Sequence, residues 1–216
     1  MKEKRSKTYQ IVNEVFNAVT HGIAAILSVI GLVLLILKGV NSGSVLQTVS
    51  FTVYGAMLVA LFLFSTLAHS LYFTRARKVF QVFDHSGIFL LIAGTYTPYC
   101  LVTLADTLGW TILTVIWICA IVGIVTSAIF LPRAQSVSRF STLLYVAMGW
   151  MILFAIYPLY QQLPHIAFWL LVAGGVTYTV GALIYRFKFP FAHVLWHVFV
   201  FVAALLMWLS IYGYVH

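Results

Sequence analysis

Seven runs of about twenty mainly apolar residues, parted by short polar or turn-forming stretches, limit what this chain can become. They fall at 19–37, 46–73, 80–104, 108–131, 142–159, 166–185 and 191–214. At about 1.5 Å per residue, a helix of that length crosses a hydrocarbon layer about 30 Å thick while pairing its own backbone groups. The expected fold is an all-α integral membrane protein, one seven-transmembrane helix bundle spanning residues 1–216. Composition excludes the soluble classes. Of the residues, 63% are hydrophobic and 7% charged, where a soluble domain carries roughly a quarter charged. Residues 1–18 read as a basic tail and a juxtamembrane helix leading into the first run. A basic start before an apolar run also suits a cleaved signal, but this run is too long and no A-x-A-like site follows, so the first span is expected to be retained.

The net charge of +8 and isoelectric point near 9.6 would suggest nucleic acid in a soluble protein. In a bundle they instead describe loop charge. Lys2, Lys4, Arg5 and Lys7 precede span 1, and Arg75, Arg77 and Lys78 join spans 2 and 3. Arg133 and Arg139 join spans 4 and 5, and Arg186 and Lys188 join spans 6 and 7. All of these fall on one side, and only Lys38 falls on the other. The positive-inside rule therefore predicts a cytoplasmic N-terminus and an external C-terminus. Trp110, Trp169, Tyr99, Tyr157, Tyr160, Tyr212 and Tyr214 then form an aromatic belt at the external interface. Cys100 and Cys119 lie inside apolar runs without a Cys-x-x-Cys, so neither a disulfide framework nor a thiolate metal site is expected. The expected partners are membrane lipids, not nucleic acid.

Within this topology a few polar residues stand out. His193 and His197 are four apart, one turn above each other on a single helical face, the spacing with which two imidazoles meet one metal ion. Two histidines on a helix can also simply hydrogen-bond to neighbours. His69 lies just before Arg75 on a span running inward, Asp84 just after Lys78 on the next, and the His pair just after Lys188. Helical rise puts all four roughly 7–14 Å inside the cytoplasmic basic belt. Ser65 sits one turn from His69. Asp84 is the only carboxylate well inside a predicted span, where an unpaired charge costs at least ~2.5 kcal/mol. It either serves a cation site or bridges to Arg75, Arg77 or Lys78, or caps the third helix. The metal reading places His69, His193 and His197 around Zn²⁺, a fourth position open to water, Asp84 as general base and Ser65 as a nearby hydroxyl.

Other polar residues carry weaker signals. Glu14, Asn17 and His21 share a face of the helix entering span 1. They either close or anchor the mouth of the site, or form an interfacial helix satisfied by headgroups. His85 points about 100° from Asp84 around the helix, as packing or as a supporting residue. Tyr96 and Pro98 mark a kink in span 3, and His165 and His216 are expected on the external side.

Three stretches together carry a resemblance: Ser65-Thr-Leu-Ala-His69, then Phe83-Asp84-His-Ser86 with Ala93-Gly-Thr-Tyr-Thr-Pro98, then His193-x-x-x-His197. Together with Glu14-Val-Phe-Asn17-Ala-Val-Thr-His21, the chain resembles the hemolysin III family of bacterial membrane proteins along essentially its whole length. Those proteins are related to the progestin and adipoQ receptors and distantly to the alkaline ceramidases. The resemblance implies a seven-helix bundle of the inner membrane with zinc near the cytoplasmic face. It implies His69, His193 and His197 as ligands, with Asp84 and Ser65 contacting the zinc-bound water. It also implies a role in lipid homeostasis through ceramidase-like hydrolysis of lipid amides or esters. A lytic, pore-forming protein and a receptor-like sensor with structural zinc are the alternatives. A secreted toxin is soluble before insertion, which this chain is not, and a channel needs polar groups across the full depth.

Overall fold

The computed structural model describes residues 6–134, 139–187 and 189–216. Lys2, Lys4, Arg5 and Lys188 of the charge pattern lie outside them. Eight α-helices follow in order: α1 Lys7–Asn41, α2 Val45–Ser70, α3 Arg77–Pro98, α4 Thr107–Ala134, α5 Arg139–Trp150, α6 Ile156–Gln162, α7 His165–Arg186 and α8 Ala192–Tyr214. A π-helical stretch, Tyr99–Leu104, extends α3, and a 3₁₀ stretch, Met151–Ala155, joins α5 to α6. Among the described residues seven helical spans are long and apolar enough to cross a membrane, Phe140–Gln162 counting as one. The protein is a multi-pass, all-α membrane protein.

The first helix departs from the run seen in the sequence. The expected juxtamembrane helix and span 1 are one unbroken helix of 35 residues, about 52 Å long. Its buried residues are Asn17, His21, Ala24, Ser28, Gly31, Leu35 and Gly39, a stripe at helical spacing made of small and polar side chains. Apart from Leu35, which is buried, the large apolar ones point away, as Ile26 does at 67% exposed. This inverts the soluble pattern because lipid is as apolar as leucine, so close packing and polar contacts select the interior face. A Cβ on Gly55 would lie 3.1 Å from the Cα of Leu32, which is how closely α2 passes α1.

The order of packing positions the site. α1 lies against α2 and α8, α2 against α3, α3 against α4, and α7 against α8. The first helix thus sits beside the last. At one end the backbone N–H of Phe191 donates to the Tyr9 hydroxyl at 2.9 Å. At the other, Lys38 Nζ donates to the carbonyls of Tyr212 and Val215, each at 2.6 Å, and to that of Ile211 at 3.4 Å. A lysine there serves carbonyls at the end of α8, where a helix runs out of its own donors, and meets the negative end of its dipole.

One member of the expected aromatic belt is misplaced. Tyr99 is 1% exposed and donates to Ser210 Oγ at 2.8 Å, so it belongs to the core. Ser210 in turn donates to the Ala167 carbonyl at 2.8 Å, and a tyrosine hydroxyl with such a partner is satisfied inside. Trp110, Trp169, Tyr157 and Tyr160 are exposed on the bundle surface. The irregularity at Pro98 takes the form of a π-helical stretch, consistent with a residue that lacks a backbone N–H. It ends at Ala105, whose φ of +48° is left-handed.

Candidate metal centre

The site is built where α1, α2 and α8 meet. His69 occupies the last turn of α2, and His193 and His197 the first turns of α8. One nitrogen from each lies within 4.8 Å of the others. Ring centroids are 4.9 Å apart for His69–His193 and His69–His197, and 4.6 Å for His193–His197. The helical spacing of four brings the second pair together, and the α1–α2 and α1–α8 contacts deliver the third ring.

Hydrogen bonds assign protons to two of the rings. His69 Nδ1 lies 2.6 Å from Glu14 Oε2. An ionised carboxylate only accepts, so Nδ1 carries the hydrogen and Nε2 keeps its lone pair. That Nε2 is buried with no partner in the protein. His197 Nδ1 donates to the Asn17 carbonyl at 3.3 Å and lies 3.4 Å from Thr20 Oγ1. A carbonyl also only accepts, so His197 too presents Nε2 to the cluster. His21 stacks on His197, with centroids 3.6 Å apart and planes 12° apart. Tyr185 stands edge-on to His193 at 5.1 Å.

Around these rings lie buried polar atoms without a protein partner: both side-chain polar atoms of Asn17, both nitrogens of His21, and Ser65 Oγ. Buried polar groups are nearly always satisfied. Several orphans beside three convergent imidazoles are what a polar occupant, such as a cation and its water, would leave in a protein-only account. Three neutral imidazoles also form a donor set that zinc accepts. The residues fit the metal.

The remaining candidates are placed as follows. Asp84 lies in the interior of α3, which begins at Arg77, so it does not cap that helix. Its one ion-pair contact among the described residues is His85 Nδ1, at 4.0 Å. That nitrogen already donates to the Gln81 carbonyl at 2.8 Å. The alternative of a bridge to Arg75, Arg77 or Lys78 has no counterpart among the described residues, and Arg77 covers the Tyr72 ring at 3.7 Å. Asp84 is not part of the group of three histidines whose nitrogens lie within 4.8 Å of one another. Asn17 and His21, at 0% and 3% exposed, face the interior and not headgroups. The pairing of Glu14 with His69 went unforeseen. Its trace in the sequence is the spacing 14, 17, 21, which continues straight into the buried stripe of α1.

Comparison with known proteins extends over the whole bundle. A family model described as haemolysin-III related matches residues 9–208. The chain is 46% identical to Hemolysin-3 of Bacillus cereus, covering 100% of this chain and 98% of that protein. It is 43% identical to the Hemolysin-3 homolog of Bacillus subtilis (strain 168), covering 89% of each. Monocyte to macrophage differentiation factor of Homo sapiens is 25% identical, covering 93% of this chain and 83% of its own length.

Proposed function

Since the chain belongs to the haemolysin-III-related family, we propose that it is a zinc-dependent hydrolase acting on an amide or ester bond of a membrane lipid. The observation that carries this reading is the convergence of His69, His193 and His197 beside unpartnered buried polar atoms. The three histidines would hold the ion through one nitrogen each. Zinc with three protein ligands and an open position supplies Lewis acidity and a nucleophilic water at neutral pH.

The chain's own residues then divide the work. Asp84 takes the proton from the attacking water and returns it to the leaving amine or alcohol, the exchange a positioned carboxylate performs. Ser65, with its hydroxyl uncommitted, donates to the water or to the acyl oxygen. The net reaction adds water across the acyl bond and releases a fatty acid. Substrate enters laterally between helices, as a lipid does without leaving the bilayer. By the positive-inside rule the site lies toward the cytoplasmic face, with the N-terminus cytoplasmic and the C-terminus external, in the bacterial inner membrane.

The name Hemolysin-3 carried by the Bacillus relatives supports a second reading, a membrane-lytic protein. The test separates the two. Purified protein is assayed for zinc, for fatty-acid release from lipid amides and esters, and for lysis of erythrocytes. His193→Ala is expected to lose the metal. Asp84→Asn is expected to keep the metal and lose at least about a hundredfold in turnover, the usual range for a general base. Zinc content unchanged by His193→Ala would end the metal reading, and full turnover by Asp84→Asn would remove Asp84 as the base. Lysis that survives both substitutions would favour the lytic reading.

A further inference from the structure

The first helix makes specific contacts with two of the three clustered histidines. Glu14 accepts from His69 Nδ1, and the Asn17 carbonyl accepts from His197 Nδ1. One turn below, Tyr9 receives the Phe191 N–H and packs its ring 5.1 Å from that of Phe191. Phe191 caps α8 with a left-handed φ of +61°, two residues before His193. Side chains or carbonyls of α1 thus contact the start of α8 and the last turn of α2 at the positions that carry the cluster.

We propose that Glu14 is a positioning residue for the metal centre: by accepting from His69 Nδ1 it fixes the tautomer that presents Nε2 to the ion. The proposal rests on the reading that the cluster holds zinc. Three observations carry it. The contact is short, at 2.6 Å. Both partners are largely withdrawn from solvent, with 9% of the His69 side chain and 12% of the Glu14 side chain exposed. The opposite nitrogen of the same ring is buried without a partner. A carboxylate behind a ligating imidazole orients the ring and strengthens it as a donor, and losing such a partner typically weakens metal binding 10- to 100-fold.

The test uses the full-length protein in lipid nanodiscs, stripped of metal and titrated with Zn²⁺ against a chromogenic chelator. Glu14→Gln keeps an acceptor oxygen but loses the charge, and is expected to weaken zinc binding about tenfold. Glu14→Leu keeps the bulk but has no acceptor, and is expected to weaken it about a hundredfold. Two further readouts separate positioning from packing. The visible spectrum of the Co²⁺-loaded protein is expected to shift in Glu14→Leu. The ¹⁵N resonances of His69 in the metal-free protein are expected to change from the Nδ1–H form to a mixture. Wild-type protein that binds zinc tightly while both variants match it within about twofold would overturn the role of Glu14 and leave the metal reading standing. Wild-type protein that binds no zinc would overturn both.

Discussion

At the scale of single residues, the site depends on which atom of each ring is already occupied. His69 and His197 have Nδ1 committed to oxygen acceptors on α1, so their free lone pairs point into one space without a metal having to arrange them. Asn17 shows the opposite condition, a fully buried amide whose oxygen and nitrogen are both unpaired. A dry, unpaired amide costs roughly 1–3 kcal/mol, so it is best explained by polar contents in the site. Asn17→Leu is expected to keep zinc bound and to lower lipid turnover about tenfold, equivalent to ~1.4 kcal/mol in the barrier. A raised unfolding midpoint with turnover intact would mean that the amide contacts nothing. The sequence made His193 and His197 legible through their spacing. Glu14 was not legible as a partner of His69, because hydropathy does not reveal which helix stands beside which.

At the scale of elements, helix ends account for the local exceptions. Ala105 closes the π-helical extension of α3 in the left-handed region and is exposed. An L residue there costs roughly 1–2 kcal/mol that glycine does not. Ala105→Gly is therefore expected to stabilise the protein by about 1 kcal/mol, since glycine's extra freedom in the unfolded chain offsets part of the gain. Thermal unfolding in nanodiscs reads the shift. Lys38 is the cation that the charge pattern left alone on the far side, and the structure gives it a task. Its ammonium serves two carbonyls of α8 and that of Val215 just past it, and lies 5.2 Å from the Phe51 ring. Lys38→Met keeps most of the stem but removes the donor to the Tyr212 carbonyl, while those of Ile211 and Val215 keep Val215 N–H and Gln47 Nε2, and is expected to cost about 2 kcal/mol, the scale of a charged hydrogen bond. An unfolding midpoint equal to wild type would mean that water serves the carbonyls equally well.

At the scale of the whole molecule, much of the architecture followed from segment length, because a bilayer admits few shapes and a run of about twenty apolar residues has one use. Depth was legible as well: alternating direction and helical rise predicted that His69 would approach His193 and His197, and the three rings do meet. Rotation of each helix about its own axis was less legible. Tyr99, expected at the surface, turned inward because a helix that is apolar on every side gives no sign of which face is interior. If the cluster binds zinc, the bundle should gain stability by mass action, by about 4 kcal/mol at a thousandfold excess over Kd. A chelator is then expected to lower the unfolding midpoint of wild type and to leave that of His193→Ala unchanged.

The adjacency of α1 and α8 also constrains biosynthesis. Thr20 and His197 touch across 177 positions of sequence, and the cluster draws two of its rings from α8, far along the chain from α2. A ribosome must make α8 before those rings can join the one already waiting on α2. An early stop can leave hydrophobic helices in the bilayer, yet such a fragment lacks His193 and His197 and cannot complete the cluster. Occupancy by an ion would therefore mark a copy in which α8 has been made and packed, a chemical distinction from truncated fragments that hydrophobicity alone does not provide.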